Sequence, residues 1–216
     1  MATHTDTRRP SRARRWLLRG LFAGGIAGNE QLTALTGVVL ILLLAALGIT
    51  IVRIGGLLNA HMFIGMLLIG PVLLKMASTG YRFVRYYTAN PRYRAKGPPA
   101  VELRMLAPLV VFTTVVVFAS GVALLFVGPS ARGTLTPIHK VSFVAWLAVT
   151  ALHVLGHLAE MPRALAADRH RPREWDDHGS GRGARALALS GALVGGLVLA
   201  LLVESQFGAW AHFHHH

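Results

Sequence analysis

Two histidines, His139 and His153, lie fourteen residues apart within the apolar segment TPIHKVSFVAWLAVTALHVLGHL. On an α-helix this spacing places both imidazoles within about 40° of the same face and roughly 21 Å apart along the axis. An ionisable side chain in hydrocarbon is costly and is a functional hypothesis by default. The spacing therefore predicts two stacked metal centres along one membrane-spanning helix.

The composition places these histidines in a membrane protein. The chain of 216 residues is 53% hydrophobic and 14% charged, whereas soluble domains average about 25% charged residues. Five apolar segments are long enough to cross a hydrocarbon core about 30 Å thick, at residues 32–54, 57–79, 105–127, 137–161 and 184–203. The predicted fold is an all-α membrane protein, a four-helix transmembrane bundle with a fifth transmembrane helix.

The basic residues predict the orientation of the bundle. The net charge of +13 comes largely from six basic residues in each of the stretches 1–31, 82–104 and 163–185. If the segments alternate, these stretches share one side, and only Arg53, Arg132 and Lys140 lie on the other. This positive-inside pattern argues against a nucleic-acid partner and predicts a cytoplasmic N-terminus and an outer C-terminus. Nineteen arginines against three lysines also hint at a GC-rich bacterial genome, and thus at a bacterial inner membrane.

The expected layout follows from these segments. It comprises a basic cytoplasmic arm, the four-helix bundle, a cytoplasmic loop, the fifth helix and an outer histidine-rich tail, at residues 1–31, 32–161, 162–185, 186–204 and 205–216. In the fourth segment Thr136 is the expected N-cap and Pro137 suits the first helical turn. Gly191 and Gly195, with Gly196 beside them, have the spacing of a close helix contact, either inside the bundle or in a homodimer. The absence of cysteine excludes disulfides and thiolate ligands.

Matching depths across the helices selects the histidines that can meet. If the second and fourth segments both begin at the outer boundary, His61 and His139 lie roughly 4 to 6 Å inside it. They can face each other as the two axial ligands of a b-type haem, and Arg53, Arg132 and Lys140 lie at the right level for its propionates. A flat macrocycle also needs small neighbours, which Gly65, Gly70, Ala119, Gly121 and Ala145 could provide. His153 and His157 lie at roughly 25 and 30 Å, too deep to share a ligand with His61.

With these histidines, the chain resembles the bacterial four-helix cytochrome b superfamily, the membrane subunits of formate dehydrogenases and nickel-iron hydrogenases. The resemblance covers residues 32–161 and depends on the outer histidine of the second helix and the fourteen-residue pair in the fourth. It implies that His61 and His139 hold an outer haem b and that His153 holds an inner one. It also implies a lipid-embedded electron-transfer subunit with a redox partner protein and a quinone.

The inner centre departs from the family pattern, in which the first helix usually supplies a ligand. No histidine lies between His4 and His61, and the residues fourteen and fifteen beyond His61 are Lys75 and Met76. Either could bind iron; Lys75 could instead pair with a propionate or Glu160, or extend toward the interface. His157 could replace His153 as the inner ligand, or the two could chelate zinc.

Several functions stay open at this point. The first is a b-type cytochrome that exchanges electrons with quinone and holds one haem, or two if the inner site is complete. The second is a transporter or a metal- or proton-handling protein that uses its intramembrane histidines, including a quinone or proton-relay site at His153 and His157. The third is a structural partner subunit with no cofactor, assembled through the glycine face of the fifth segment. His61 and His139 could also be helix-end histidines that only bond loops or headgroups. The tail histidines, His212 and 214–216, fit a polar terminus or purification remnant, or an outer copper or zinc site.

Overall fold

The computed structural model describes residues 25–88, 101–168 and 182–211, without the side chains of 25–27, 101–103, 129, 157–168, 209 and 211. Five long helices occupy these ranges: α1 (Gly25–Val52), α2 (Ile54–Tyr87), α3 (Val101–Phe126), α4 (Pro129–Asp168) and α5 (Arg182–Val203). A 3₁₀ turn (Glu204–Gln206) and a short α6 (Gly208–Ala211) follow. No strand occurs in the described ranges, which confirms the predicted all-α class. Most of the predicted arm and part of the second loop lie outside them.

All five long helices are long and apolar enough to cross a membrane. The chain is therefore a multi-pass membrane protein, as predicted. Many large apolar side chains are exposed, among them Val52 and Leu202, which is the pattern of a surface that faces lipid. Both inter-helix turns that the structure describes, at Arg53 and at residues 127–128, lie at the same end of the helices as the C-terminus. We call this the turn end, and the other the opposite end.

The predicted turn between the first two helices is present. Arg53 separates α1 from α2, and its carbonyl accepts hydrogen bonds from the backbone N–H groups of Gly56 and Leu57 at 3.1 and 3.0 Å. Leu57 is non-helical (φ −122°, ψ 20°), so the regular part of α2 begins after it. His61 consequently lies one turn into this regular part, close to the turn end.

The start of the fourth helix differs from the prediction. The helix begins at Pro129, and the connection from α3 shrinks to Val127 and Gly128. Pro129 takes the first helical position, for which its constrained φ and missing N–H suit it as well as they would suit Pro137. The expected N-cap at Thr136 is therefore wrong, and His139 lies almost three turns inside α4 rather than in its first turn.

The helices pack in two groups. In the first, α2 packs closely against α1 on one side and α5 on the other; in the second, α3 packs against α4. The groups approach each other at far fewer places, mainly between α2 and α3. The backbones of α2 and α4, which carry His61 and His139, are therefore not in close contact.

A small apolar core joins the groups at the turn end. It contains Met66 from α2, Leu125 from α3, Ala200 from α5 and Phe207 from the C-terminal segment, each at most 5% exposed. Beyond it, the Trp210 indole N–H donates to the Leu124 carbonyl at 3.2 Å. The first residues of the predicted outer tail thus fold onto the bundle, where they link α5 to α3.

Glycines bring α2 and α5 into backbone contact. A methyl group added to Gly70 would collide with the Ala192 carbonyl, and one added to Gly196 would collide with the Leu67 carbonyl. Gly191 and Gly195, the predicted contact pair, have nothing within 4 Å of an added methyl group. The predicted close contact thus exists inside the chain, but Gly196 provides it.

Candidate functional site

His61 is oriented by a hydroxyl group on α1. Its Nδ1 lies 3.0 Å from the Thr50 Oγ1, and the Thr50 hydroxyl donates its own proton to the Leu47 carbonyl one turn earlier in α1, at 2.5 Å. A hydroxyl whose proton is committed can only accept from a ring N–H. The contact therefore favours the Nδ1–H tautomer of His61, which leaves the lone pair on Nε2.

His139 has an equivalent arrangement on α3. Its Nδ1 lies 3.0 Å from the Ser120 Oγ, and the Ser120 hydroxyl donates to the Val117 carbonyl at 3.0 Å. Ser120 is only 7% exposed, so this contact lies inside the α3–α4 interface. The Ser142 Oγ lies 3.3 Å from the Ser120 Oγ, but the Ser142 hydroxyl donates to the His139 carbonyl at 2.9 Å. The bond of Ser120 to Val117 therefore favours the Nδ1–H tautomer of His139, with its Nε2 lone pair available.

Gly121 makes room for the His139 ring. A methyl group added to Gly121 would lie 3.5 Å from Nδ1, an ordinary contact distance, but only 3.0 Å from the ring Cε1, closer than carbon atoms normally approach. The imidazole thus rests against the backbone of α3 and is held at Nδ1 by the neighbouring Ser120. Below it along the same interface, the Trp146 indole N–H donates to the Thr114 Oγ1 at 3.0 Å.

The structure brings the two histidines into the same region from different helix groups. His61 and His139 are close enough to interact electrostatically, although the backbones of α2 and α4 are not in close contact. Each ring is half-buried. The two imidazoles therefore reach one region from two helix groups, and the hydroxyl contacts leave the Nε2 atom of each as the nitrogen available to a metal.

The predicted basic partners are distributed differently. Arg53 is exposed at the turn end, whereas Lys140 is exposed on α4 next to His139, about three turns from the start of that helix. The Arg132 guanidinium instead stacks on the Trp210 ring, 4.2 Å from its centroid. Arg132 therefore links the start of α4 to the C-terminal segment.

Lys75 connects α2 to α1. Its ammonium donates to the Thr33 carbonyl at 2.7 Å, and Nζ lies 3.2 Å from where a methyl group on Gly37 would be. Asn29 and Ser78 are hydrogen bonded to each other on the opposite-end side of this contact, at 3.1 Å. The Lys75 side chain therefore reaches sideways into a notch in α1 instead of extending toward the opposite end.

The deeper histidines are less completely defined. His153 is half-buried on α4, fourteen residues or about four turns beyond His139 and its Ser120 contact. His157 is part of α4, but its side chain lies outside the described set, as does that of Glu160. The Thr150 hydroxyl, one turn before His153, is buried and has no hydrogen-bond partner in the described part of the chain. Met76 lies half-buried beside Lys75.

The small residues proposed to flank a macrocycle divide into two sets. The α5 backbone fills the space beside Gly70, and the His139 ring fills the space beside Gly121, so neither glycine leaves room for a ligand. Gly65, one turn beyond His61, has nothing within 4 Å of an added methyl group. Ala119 and Ala145 are exposed. Open space beside His61 therefore comes from Gly65.

The pair His61 and His139 provides two nitrogen donors, the number that a haem iron takes from the protein. The described residues contain no group of three or more histidine or acidic side chains that could surround a metal ion. A haem iron needs only two axial nitrogens from opposite sides, which the lone pairs on His61 and His139 Nε2 could supply. Thr50 and Ser120 were not identified from the sequence. The sequence feature that could have identified them is a hydroxyl residue on the preceding helix, at the same depth as each histidine.

No protein-family model matches the chain, and no curated protein or solved structure is significantly similar to it. The assignment of a function therefore depends on the residues of the site themselves.

Proposed function

We propose that this protein is an integral membrane b-type cytochrome that transfers electrons between a redox partner and quinone. One observation carries the proposal. His61 and His139 come from separate helix groups into one region, and each has its Nδ1 bonded to a hydroxyl group and its Nε2 lone pair available. Paired imidazoles with secured Nδ1 atoms are the protein contribution that an axially ligated haem requires.

In this proposal His61 and His139 hold one haem b, and Arg53 and Lys140 neutralise its propionates. When bound, the haem supplies a one-electron carrier. The surrounding chain binds it, orients its ligands and excludes water. Loose contact between α2 and α4 supports the assignment, since a macrocycle between two helices keeps their backbones apart. The turn end faces outward, according to the distribution of basic residues.

His153 belongs to the second part of the proposal, an inner haem or quinone site. It lies on α4 deeper than His139, next to the buried Thr150 hydroxyl. His157 is the alternative ligand on the same helix. The Lys75 ammonium already donates to the α1 backbone, so His153 and His157 are the stronger candidates for ligands at this level.

Absorption spectroscopy tests the outer site. The protein purified from haem-replete cells should be red, with a reduced-minus-oxidised spectrum of b-type haem and one or two haems per chain. His61→Ala and His139→Ala should each remove the same spectral component. His153→Ala is the matched control on the same helix as His139, and should leave that component in place.

Two results would contradict the proposal. A colourless protein that stays haem-free after reconstitution would exclude the haem. Loss of one and the same component in all three variants would refute the separation of outer and inner sites. The number of haems per chain then shows whether an inner haem is present. If it is, loss of its spectral component only in His153→Ala or only in His157→Ala identifies the ligand.

A further inference from the structure

Thr50 and Ser120 share a feature that neither histidine alone explains. Each hydroxyl lies 3.0 Å from the Nδ1 of its histidine and donates its proton to a carbonyl three residues earlier in its own helix. The two hydroxyls lie on different helices, α1 and α3, and serve histidines on α2 and α4. The same device thus occurs twice, once in each helix group.

We propose that Thr50 and Ser120 are positioning residues that set the tautomer and the ring plane of the two histidines, and so tune the site. A hydroxyl with its proton committed accepts the Nδ1–H bond but cannot donate to a deprotonated Nδ1. It therefore favours the proton on Nδ1 and leaves Nε2 as the nitrogen that is available to a ligand. The inference rests on the proposed function for its redox consequence, whereas the tautomer itself is a property of the chain alone.

The expected redox effect has a definite sign. A hydrogen bond accepted from Nδ1–H increases the electron density of the imidazole and strengthens it as a ligand. Strong donation stabilises ferric iron relative to ferrous iron, so it lowers the reduction potential. Loss of the acceptor should raise the midpoint potential, and loss of both acceptors should raise it further, since both ligands would serve one iron.

The variants separate the hydroxyl from the shape of its side chain. Thr50→Val replaces the hydroxyl by a methyl group of similar size, whereas Thr50→Ser keeps the hydroxyl. Ser120→Ala is the corresponding change at the second site. Thr114→Val is a control on α3, because the Thr114 hydroxyl bonds Trp146 rather than a histidine.

The first measurement uses the haem-free protein in detergent, with ¹⁵N-labelled histidine. The wild-type protein and Thr50→Ser should show the Nδ1–H tautomer at His61, and Thr50→Val should shift His61 toward the Nε2–H tautomer. Ser120→Ala should do the same at His139, and Thr114→Val should change neither. An Nε2–H tautomer in the wild-type protein, or an unchanged tautomer in both Thr50→Val and Ser120→Ala, overturns the inference whether or not haem binds.

The second measurement is a redox titration of the haem-loaded protein with electron paramagnetic resonance. Thr50→Val and Ser120→Ala should raise the midpoint potential. They should also change the ferric signal, which reports the orientation of the histidine ring planes. Thr50→Ser and Thr114→Val should leave the potential and the signal unchanged. Unchanged potentials in a haem-loaded Thr50→Val and Ser120→Ala protein overturn the tuning role while the cytochrome assignment stands. Failure to load haem with the expected tautomers intact overturns the cytochrome assignment instead.

Discussion

Gly196 of α5 lies directly against the backbone carbonyl of Leu67 in α2. This carbonyl is the one that would accept a helical hydrogen bond from residue 71, but Pro71 has no N–H to donate. The freed oxygen therefore faces the Cα of a glycine on the neighbouring helix, a contact that allows a weak Cα–H···O interaction. Pro71 itself is fully buried at this crossing. Pro71 and the glycine contact are thus one structural unit.

This unit predicts unequal effects at two adjacent glycines. Gly196→Ala should separate α2 from α5 and destabilise the protein by about 1–3 kcal/mol or more, because the methyl group meets backbone that cannot move aside. Gly195→Ala should have little effect, because nothing lies within 4 Å of the added methyl group. Thermal unfolding in detergent compares the two. Equal melting temperatures of Gly196→Ala and Gly195→Ala would show that α2 and α5 do not pack through Gly196.

Gly121 should be sensitive for a different reason. In Gly121→Ala the added methyl group lies 3.0 Å from the Cε1 of His139, so the ring must move away from α3 and strain its bond to Ser120. We expect lower haem retention or a shifted spectrum, with the helices intact by circular dichroism. Gly133→Ala on α4 is the control, since its added methyl group meets nothing. A Gly121→Ala protein with unaltered haem content and spectrum would place the His139 ring elsewhere.

Lys75→Met tests whether the intramembrane lysine is an iron ligand. The Lys75 ammonium donates a hydrogen bond to the Thr33 carbonyl. We therefore expect Lys75→Met to have an unchanged haem-to-chain ratio and an unchanged spectrum. Stability should change by only about 1 kcal/mol, because the lost hydrogen bond is offset by removal of a half-buried charge. Loss of a haem component in Lys75→Met would instead make Lys75 a ligand of the inner centre.

The C-terminal segment should hold the two helix groups together at the turn end. Phe207 is 4% exposed among residues from α2, α3 and α5, so Phe207→Ala should cost about 3–5 kcal/mol. We also expect faster loss of haem, because the site lies between the same groups. Phe126→Ala, at the same end but 61% exposed, is the matched control. Comparable melting temperatures and haem loss in the two variants would mean that the segment does not contribute.

The hydropathy of the sequence was sufficient to predict the five helices, because the length of an apolar segment is set by the bilayer thickness. The helix ends were less accurate. Both Pro129 and Pro137 suit a first helical turn, so local rules alone did not choose between them. The actual start at Pro129 shortens the connection to two residues.

The sequence by itself determined the five apolar helices and identified His61, His139 and Lys75 as ionisable residues within them. The tertiary structure decided which faces meet: Gly196 rather than Gly191 and Gly195 at the α2–α5 contact, and Thr50 and Ser120 as the partners of the histidines. The physical reason is that lipid and the bundle interior are both apolar, so hydropathy does not distinguish a face that touches lipid from one that touches a helix. Only the rotation and pairing of the helices, which depend on contacts between distant residues, make that distinction.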